Sequence, residues 1–281
     1  MDKGLLDDYT AKCRENCTHT GIFVDYDNIY YSLKEYGVDP ENEDYCVFSL
    51  MNHIYTMDRI RTMRAYADYD QINVSLKRLQ EMRVQIKNVY GNGLEEEYRK
   101  NASDIELSVD ALEMYYRCPM IDTFVFLTSD SDMIPIMSRL MYKGRRVHLF
   151  CLGASTSRHQ DLSRFCHVFC DLLPLFQIDP ARKEPSYWQK GALCEIENWY
   201  AGRKNETMLL GGKWLNRLLC QKFGLSSHAA GRLITYLRES GCIEEVKNSA
   251  GNSGFCLTDS TSHFYHVSPS KSDDASSARS T

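Results

Sequence analysis

Five short runs of apolar, β-branched and aromatic residues punctuate the first part of the chain, at residues 21–24, 62–67, 84–90, 123–128 and 147–151. They are mostly continuous rather than alternating, which is the pattern of strands buried on both faces. Between them, apolar positions recur with a helical period around residues 45–57 and 71–82, from 104 to 117, and from 132 to 142 with a stop at Gly144. Strand and helix in alternation predict an α/β fold, a parallel sheet wrapped by helices. Such sheets collect ligands at the carboxyl ends of their strands. Two of the runs empty into carboxylates at that end, one into Asp25 and the other into Asp130 and Asp132.

The pattern changes further on. Pro174, Pro180 and Pro185 punctuate LPLFQIDPARKEPSY and mark a boundary near residues 178–187. Beyond it, residues 188–200 and 213–223 have helical periodicity, and Ser226 can cap a third helix running to about Ser240. The segment CIEEVKNSAGNSGFCLT, residues 242–258, reads as two short strands around a Gly/Asn/Ser turn. Helices followed by a hairpin describe a winged helix-turn-helix. The expected organisation is a first domain over residues 18–178, a linker at 179–187, a winged helix over 188–260, and a Ser-rich disordered tail at 261–281.

Charge sharpens this division. The net charge of the 281 residues is −5, yet residues 1–184 hold 22 Lys and Arg against 29 Asp and Glu, a balance of −7, while residues 185–262 hold 9 against 7, a balance of +2. An acidic first domain suits a carboxylate cage that needs a metal before it tolerates a polyanion, and it suits a protein that binds none. Eleven cysteines without a CxxC pair read as reduced thiols in a cytoplasm. Cys13, Cys17 and His19 are spaced to begin a zinc site, but no second pair completes it. No apolar stretch is long enough to span a bilayer. There is no GxxxxGK[ST] phosphate loop, and Gly91-Asn92-Gly93 reads as a tight turn.

The candidate chemistry is acidic. Asp25 and Asn28 sit three apart after the first run, a spacing that serves a cation-binding carboxylate with an orienting amide, or an ordinary Asx turn. Asp132 stands where it would cap the following helix, an explanation that Asp130 lacks. In KNASDIELSVDAL, residues 100–112, Ser103 and Glu106 form a capping box, so a helix is expected to open there with Asp104 in its first turn. Asp110 lies about 120° around that helix from Asp104, so it is assigned a supporting role. Asp68 ends the second run and is a further acidic candidate, whereas Asp70 is expected to cap the next helix. Lys100 is either a phosphate contact or a solvated charge. Three acidic points suggest a cage for the hard cations Mg²⁺ or Mn²⁺, which prefer oxygen ligands and act on phosphates.

The order IFVDYDN, then KNASDIELSVDAL, then FVFLTSDSDMIPIMSRLMYKGRRVHLF resembles the NYN domain, a branch of the PIN-like nucleases that includes LabA-like and limkain-type proteins, over about residues 20–173. The resemblance implies a Rossmann-like PIN/NYN parallel sheet, an acidic Mg²⁺ or Mn²⁺ site and endonucleolytic cleavage of RNA. It further implies Asp25, Asp104 and Asp130 as metal-site carboxylates, Asn28 and Asp132 as their support, and Ser129 as a helper. Here the residues after Asp25 are Tyr26 and Asp27, where the family often has a small residue. The extra carboxylate admits a haloacid-dehalogenase-type phosphatase, with Asp25 as nucleophile and Asp27 as acid/base, although Asn28 and Ile29 replace the usual Gly-Thr pair. A catalytically silent regulator that binds RNA or DNA is the third class. Arg59, Arg61 and Arg64, with Lys143, Arg145 and Arg146, are candidate backbone contacts or solubilising charge. The partners expected are RNA, single-stranded or structured, and a nucleic acid or protein on the winged helix; a homo-oligomer is compatible and a membrane is not expected.

Overall fold

The computed structural model describes residues 1–89, 96–153, 161–202, 208–248 and 251–258, the side chains of residues 96–102 excepted. Six strands form one sheet: β1 (Thr20–Asp25), β2 (Ile60–Ala67), β3 (Gln85–Asn88), β4 (Thr123–Leu127), β5 (Arg146–Cys151) and β6 (Val168–Asp171). Their order is β3-β2-β1-β4-β5-β6, and every ladder is parallel.

Successive residues of a strand point to opposite faces, and here both faces are dry. On one face Ile22, Val24, Val125, Leu127 and Phe150 join residues of helices α1 (Lys3–Arg14), α2 (Tyr26–Glu35), α3 (Val47–Tyr55) and α7 (Leu172–Phe176) in one core. On the other, Phe23, Phe124, Phe126, Val147 and Leu149 join residues of α5 (Glu96–Arg117) and α6 (Ile134–Tyr142). Phe23 stacks between Phe124 and Phe126 with ring centroids 5.9 and 5.8 Å away. Each such buried side chain stabilises the fold by about 1.5–3 kcal/mol. Two buried faces are the physical reason that the strand runs are continuous in the sequence.

Several expectations need correction. β6 and α1 were not expected: β6 is a four-residue edge strand with an exposed Phe169, and α1 is a mostly polar helix anchored by the buried Cys13. The helix expected at 71–82 shortens to α4 (Leu76–Glu81), and Ser75 caps it by accepting the Arg78 N–H at 3.3 Å, so Asp70 is no cap. The helix expected to open at Asp104 opens at Glu96, so Ser103 lies mid-helix and forms no capping box. The stretch EEYRK upstream is rich in good helix formers with acidic residues first, which extends the helix by two turns. α6 ends as expected, with Gly144 at φ 77° beyond it. Residues Tyr90, Gly91-Asn92-Gly93 and the tail at 261–281 lie outside the described residues.

A second compact unit, Glu184–Lys222 with Ser227 onward, contains α8 (Pro185–Ala201), α9 (Gly212–Phe223), α10 (Ser227–Glu239) and an antiparallel hairpin of β7 (Ile243–Lys247) and β8 (Ser253–Leu257). Leu193, Ile196, Leu215, Leu219, Leu233, Leu237 and Ile243 are buried within it. Leu210 adds an isolated antiparallel bridge to Phe255. None of the eleven cysteines is in a disulfide, and Cys13, Cys17 and His19 do not gather as metal ligands among the described residues. Among the described residues no helix is long and apolar enough to cross a membrane.

Candidate functional site

The sheet order reverses between β1 and β4. The chain runs outward from β1 through β2 to β3, then returns to place β4 on the other side of β1. Connections leaving the two strands therefore diverge and open a crevice beyond their carboxyl ends. Asp25 closes β1 at that crevice, and Thr128, Ser129 and Asp130 follow β4.

Hydrogen bonds lock the two strand ends together. Asp25 caps α2, its Oδ1 accepting the Asn28 N–H at 3.3 Å, while its Oδ2 accepts the Thr128 hydroxyl at 3.0 Å. Thr128 Oγ1 in turn accepts the Asp130 N–H at 3.1 Å. Asn28 Oδ1 accepts the Ser129 N–H at 3.0 Å, and Ser129 Oγ accepts the Leu152 N–H at 3.0 Å beyond β5. Asn28 and Ser129 are thus brought to the crevice as struts between loops. Asp130 Oδ1 accepts the Asp132 N–H at 2.9 Å and caps the 3-10 turn Ser131–Met133. The capping role expected of Asp132 belongs to Asp130, because the turn starts two residues earlier than the α-helical pattern.

Asp104 reaches the same place from α5. Carboxylate oxygens of Asp104, Asp130 and Asp132 lie within 4.8 Å of one another. Exposure grades across the group: Asp25 is 3% and Asp104 8% exposed, Asp130 is half-buried and Asp132 is exposed. Burial, then repulsion from Asp130 and Asp132, pushes the Asp104 carboxyl up to about 6. Burial, then the neighbouring Asp104, raises Asp25 well above the usual carboxylate range. None of these four carboxylates forms an ion pair among the described residues.

The remaining candidates fall elsewhere. Asp27 Oδ2 accepts the Asp68 N–H at 3.0 Å and the Ser103 hydroxyl at 3.4 Å, and burial raises its pKa. Asp68 itself accepts the Asp70 N–H at 3.2 Å and stays at the end of β2, outside the trio. Arg64 lies 2.8 Å from the buried Asp110, which also accepts the Tyr66 hydroxyl at 2.7 Å and meets Lys87 at 3.3 Å. Burial works to raise the Asp110 pKa, but Tyr66, Arg64 and Lys87 outweigh it and hold the carboxyl below the usual range. Arg59, just before β2, donates to the Cys17 carbonyl at 3.1 Å, and Arg61, at the start of β2, donates to His19 Nδ1. Arg145 and Arg146 stand at the amino end of β5, opposite the aspartates, and are not brought to the crevice. The Lys100 side chain lies outside the described residues. Thr128, fully buried and bonded to both Asp25 and Asp130, is a residue of the crevice that the sequence reading missed; a threonine ending an apolar run carries no distinguishing signal.

Comparison with known proteins places this geometry in a family. The uncharacterized protein MJ0482 of Methanocaldococcus jannaschii is 27% identical over 112 residues, 40% of this chain and 45% of that protein, so the match spans less than half of the relative. A solved structure, a protein of unknown function VPA0982 from Vibrio parahaemolyticus, is 18% identical over 56% of this chain and 94% of that one, with a TM-score of 0.44. The NYN domain model matches residues 19–173, a span holding all six strands and the four carboxylates of the crevice. That is more than half of the 281 residues, and the chain belongs to the NYN domain family.

Proposed function

We propose that the chain is a metal-dependent endoribonuclease that hydrolyses RNA phosphodiester bonds at the crevice between β1 and β4. One observation carries the reading: Asp104, Asp130 and Asp132 converge within 4.8 Å at the reversal of strand order, beside the buried Asp25. The donor set fits a hard divalent cation. It offers carboxylate oxygens only, it has no ion-paired Lys or Arg among the described residues, and the Asp25 and Asp104 carboxyls are raised first by burial and then by repulsion between neighbouring carboxylates, which a bound cation would relieve.

Asp104, Asp130 and Asp132 would hold Mg²⁺ or Mn²⁺, with Asp25 adjoining; both Asp25 oxygens already accept hydrogen bonds, which suits it to orient the group. A cation bound there supplies charge neutralisation for the scissile phosphate and a more acidic attacking water. Thr128 ties Asp25 to Asp130 and keeps their spacing fixed, and Asn28 fixes the loop of Ser129 against α2. Exposed Asp132 faces the side from which a polymeric substrate can enter. Asp27 is turned toward Asp68 and Ser103, which disfavours the phosphatase chemistry that needs it as acid/base.

The same reading takes residues 18–178 as the nuclease domain, 179–187 as linker, 188–260 as a winged helix-turn-helix and 261–281 as a disordered tail, in a cytoplasmic protein. Three helices, the hairpin and the Leu210–Phe255 bridge support the winged helix. It selects substrate or partner. Labelled single-stranded RNA incubated with Mn²⁺, Mg²⁺ or EDTA tests the proposal: cleavage requires metal and is absent in Asp104→Asn. Undiminished cleavage by that variant, or none by the wild type in either metal, would sink it.

A further inference from the structure

Helix α5 links two unlike ends of the sheet. It carries Asp104 toward one end and Tyr115 and Tyr116 in its last turn, some 18 Å further along at 1.5 Å per residue. At that far end the chemistry is cationic and aromatic. Lys143 Nζ sits 5.0 Å from the Tyr115 ring centroid and 5.2 Å from that of Tyr116, and the Arg145 guanidinium lies 5.0 Å from Tyr115. The two rings meet edge to face at 4.9 Å. Tyr142, in the last turn of α6, is 93% exposed, and Tyr116 is 66% exposed.

Tyr142 and Tyr116 thus leave ring surface in water on which an unpaired base can stack. Tyr142 is the most exposed large hydrophobic side chain among the described residues. Around it, residues 133–160 contain no Asp or Glu, while Arg139, Lys143, Arg145 and Arg146 lie within eight positions of one another. None of these four cations forms an ion pair among the described residues, and the Nε atoms of Arg145 and Arg146 are buried without a hydrogen-bond partner. The carboxylates at this end are engaged: Glu113 pairs with Arg117 at 2.9 Å, and Asp122 accepts from the backbone amides of Thr18 and His19. A cationic surface carrying exposed rings, on a domain whose balance is −7, complements a polyanion that has free π-faces.

We propose that Tyr116 and Tyr142, flanked by Lys143, Arg145 and Arg146, form a stacking platform that holds single-stranded RNA at the amino end of the sheet, remote from the acidic crevice. RNA as the occupant rests on the ribonuclease reading; the platform itself needs no metal. Lys143 lies over Tyr115 and Tyr116 and Arg145 over Tyr115, and the exposed ring surface of Tyr116 and Tyr142 is left for unpaired bases. Duplex RNA, with its bases stacked internally, gains nothing from the rings.

The test uses the full chain in EDTA, so that no cleavage occurs, with a fluorescent single-stranded RNA 12-mer followed by anisotropy across a salt series. Tyr142→Ala weakens binding by about fivefold or more with an unchanged salt slope, because stacking releases no counterions. Tyr142→Trp restores it. Lys143→Ala with Arg145→Ala lowers the salt slope by about 1.4, two phosphate contacts on a single strand. Lys77→Ala, on exposed α4, changes nothing. Binding within twofold of wild type for both Tyr142→Ala and the double variant, with thermal melts confirming the fold, overturns the platform. So does a duplex that competes equally well and with the same Tyr142 dependence. Absence of cleavage in every metal alongside Tyr142-dependent binding would remove the ribonuclease reading and leave the platform standing.

Discussion

The two ends of the parallel sheet are chemical opposites. At the carboxyl ends, four carboxylates gather with no ion-paired cation among the described residues; at the amino end of β5, cations and exposed tyrosines gather where the carboxylates are already engaged. Strand direction produces the separation. All six strands run the same way, so the loops that follow strands share one end and the helix ends that precede them share the other. A balance of −7 over residues 1–184 therefore does not argue against a polyanionic substrate, because it averages an acidic crevice with a cationic surface at the opposite end.

The largest break in this comparison comes from the acidic end. Asp104→Asn and Asp130→Asn each lower metal-dependent RNA cleavage by at least about 100-fold, or about 2.7 kcal/mol in the barrier. RNA binding in EDTA holds or tightens in both variants, because a charge that repels phosphate has been removed. A variant that loses cleavage and metal-free binding together would show that the two ends do not act separately.

Between the ends lies a buried place where both charges meet. Arg64 and Asp110 have side chains 14% and 8% exposed, in the middle of β2 and α5. Arg64→Ala leaves Asp110 with Tyr66 and the half-exposed Lys87, and costs about 2 kcal/mol, below the 3–5 kcal/mol of a fully orphaned charge because Lys87 remains. The Asp110 carboxyl is held below its ordinary value, so its contribution is complete above about pH 4 and is lost as pH falls through the folded value. Urea titrations of Arg64→Ala at pH 7 and pH 3 check both statements: the variant's deficit shrinks at the lower pH.

How much of this was legible in the residues depends on the kind of signal. β1 and β4 are legible because both of their faces are buried, which writes continuous apolar runs, and Asp25 and Asp130 stand out because carboxylates directly abut or follow such runs, whereas Asp104 is singled out by the acidic helical segment KNASDIELSVDAL and the family resemblance. β6 was illegible: four residues with an exposed Phe169 carry too little pattern. The start of α5 lies earlier than expected because Ser103 and Glu106 imitate a cap, while the helix formers of EEYRK upstream carry the helix through it. The partition of the basic residues between structure and surface could not be read at all. Arg64 and Arg145 look alike in sequence, and only the fold sends one to Asp110 and the other over Tyr115.

A smaller effect separates the ends by pH. Asp104 and Asp25 have folded pKa values above their unfolded ones, so the folded state binds the extra protons and the penalty is present at neutral pH. Metal-free protein gains stability as pH falls from about 7 through the Asp104 value of about 6 toward about 4, the reverse of the Asp110 trend. The gain is on the order of 1 kcal/mol, a few degrees in Tm for a domain of this size. Asp104→Asn flattens this limb, and saturating Mg²⁺ or Mn²⁺ raises Tm at pH 7 more than at pH 5. A metal-free Tm that falls from pH 7 to pH 5 would contradict the cluster's electrostatics.

The smallest effect concerns the boundary of the acidic end. Asp27 is two residues from Asp25, yet its Oδ2 is occupied by the Asp68 amide and the Ser103 hydroxyl, and it is not among the carboxylates within 4.8 Å. An amide oxygen can accept the same two bonds, and burial already favours an uncharged group there. Asp27→Asn therefore keeps RNA cleavage within about threefold of wild type, or about 0.7 kcal/mol, and holds or slightly raises Tm. Were Asp25 a phosphate-accepting nucleophile, the same change would abolish turnover by deleting its acid/base. Side-by-side rates on RNA and on a generic phosphomonoester decide between them: a retained RNA rate with no phosphomonoester turnover confines the acidic end to Asp25, Asp104, Asp130 and Asp132, whereas loss of both, or a trapped phosphorylated Asp25, would return Asp27 to the chemistry.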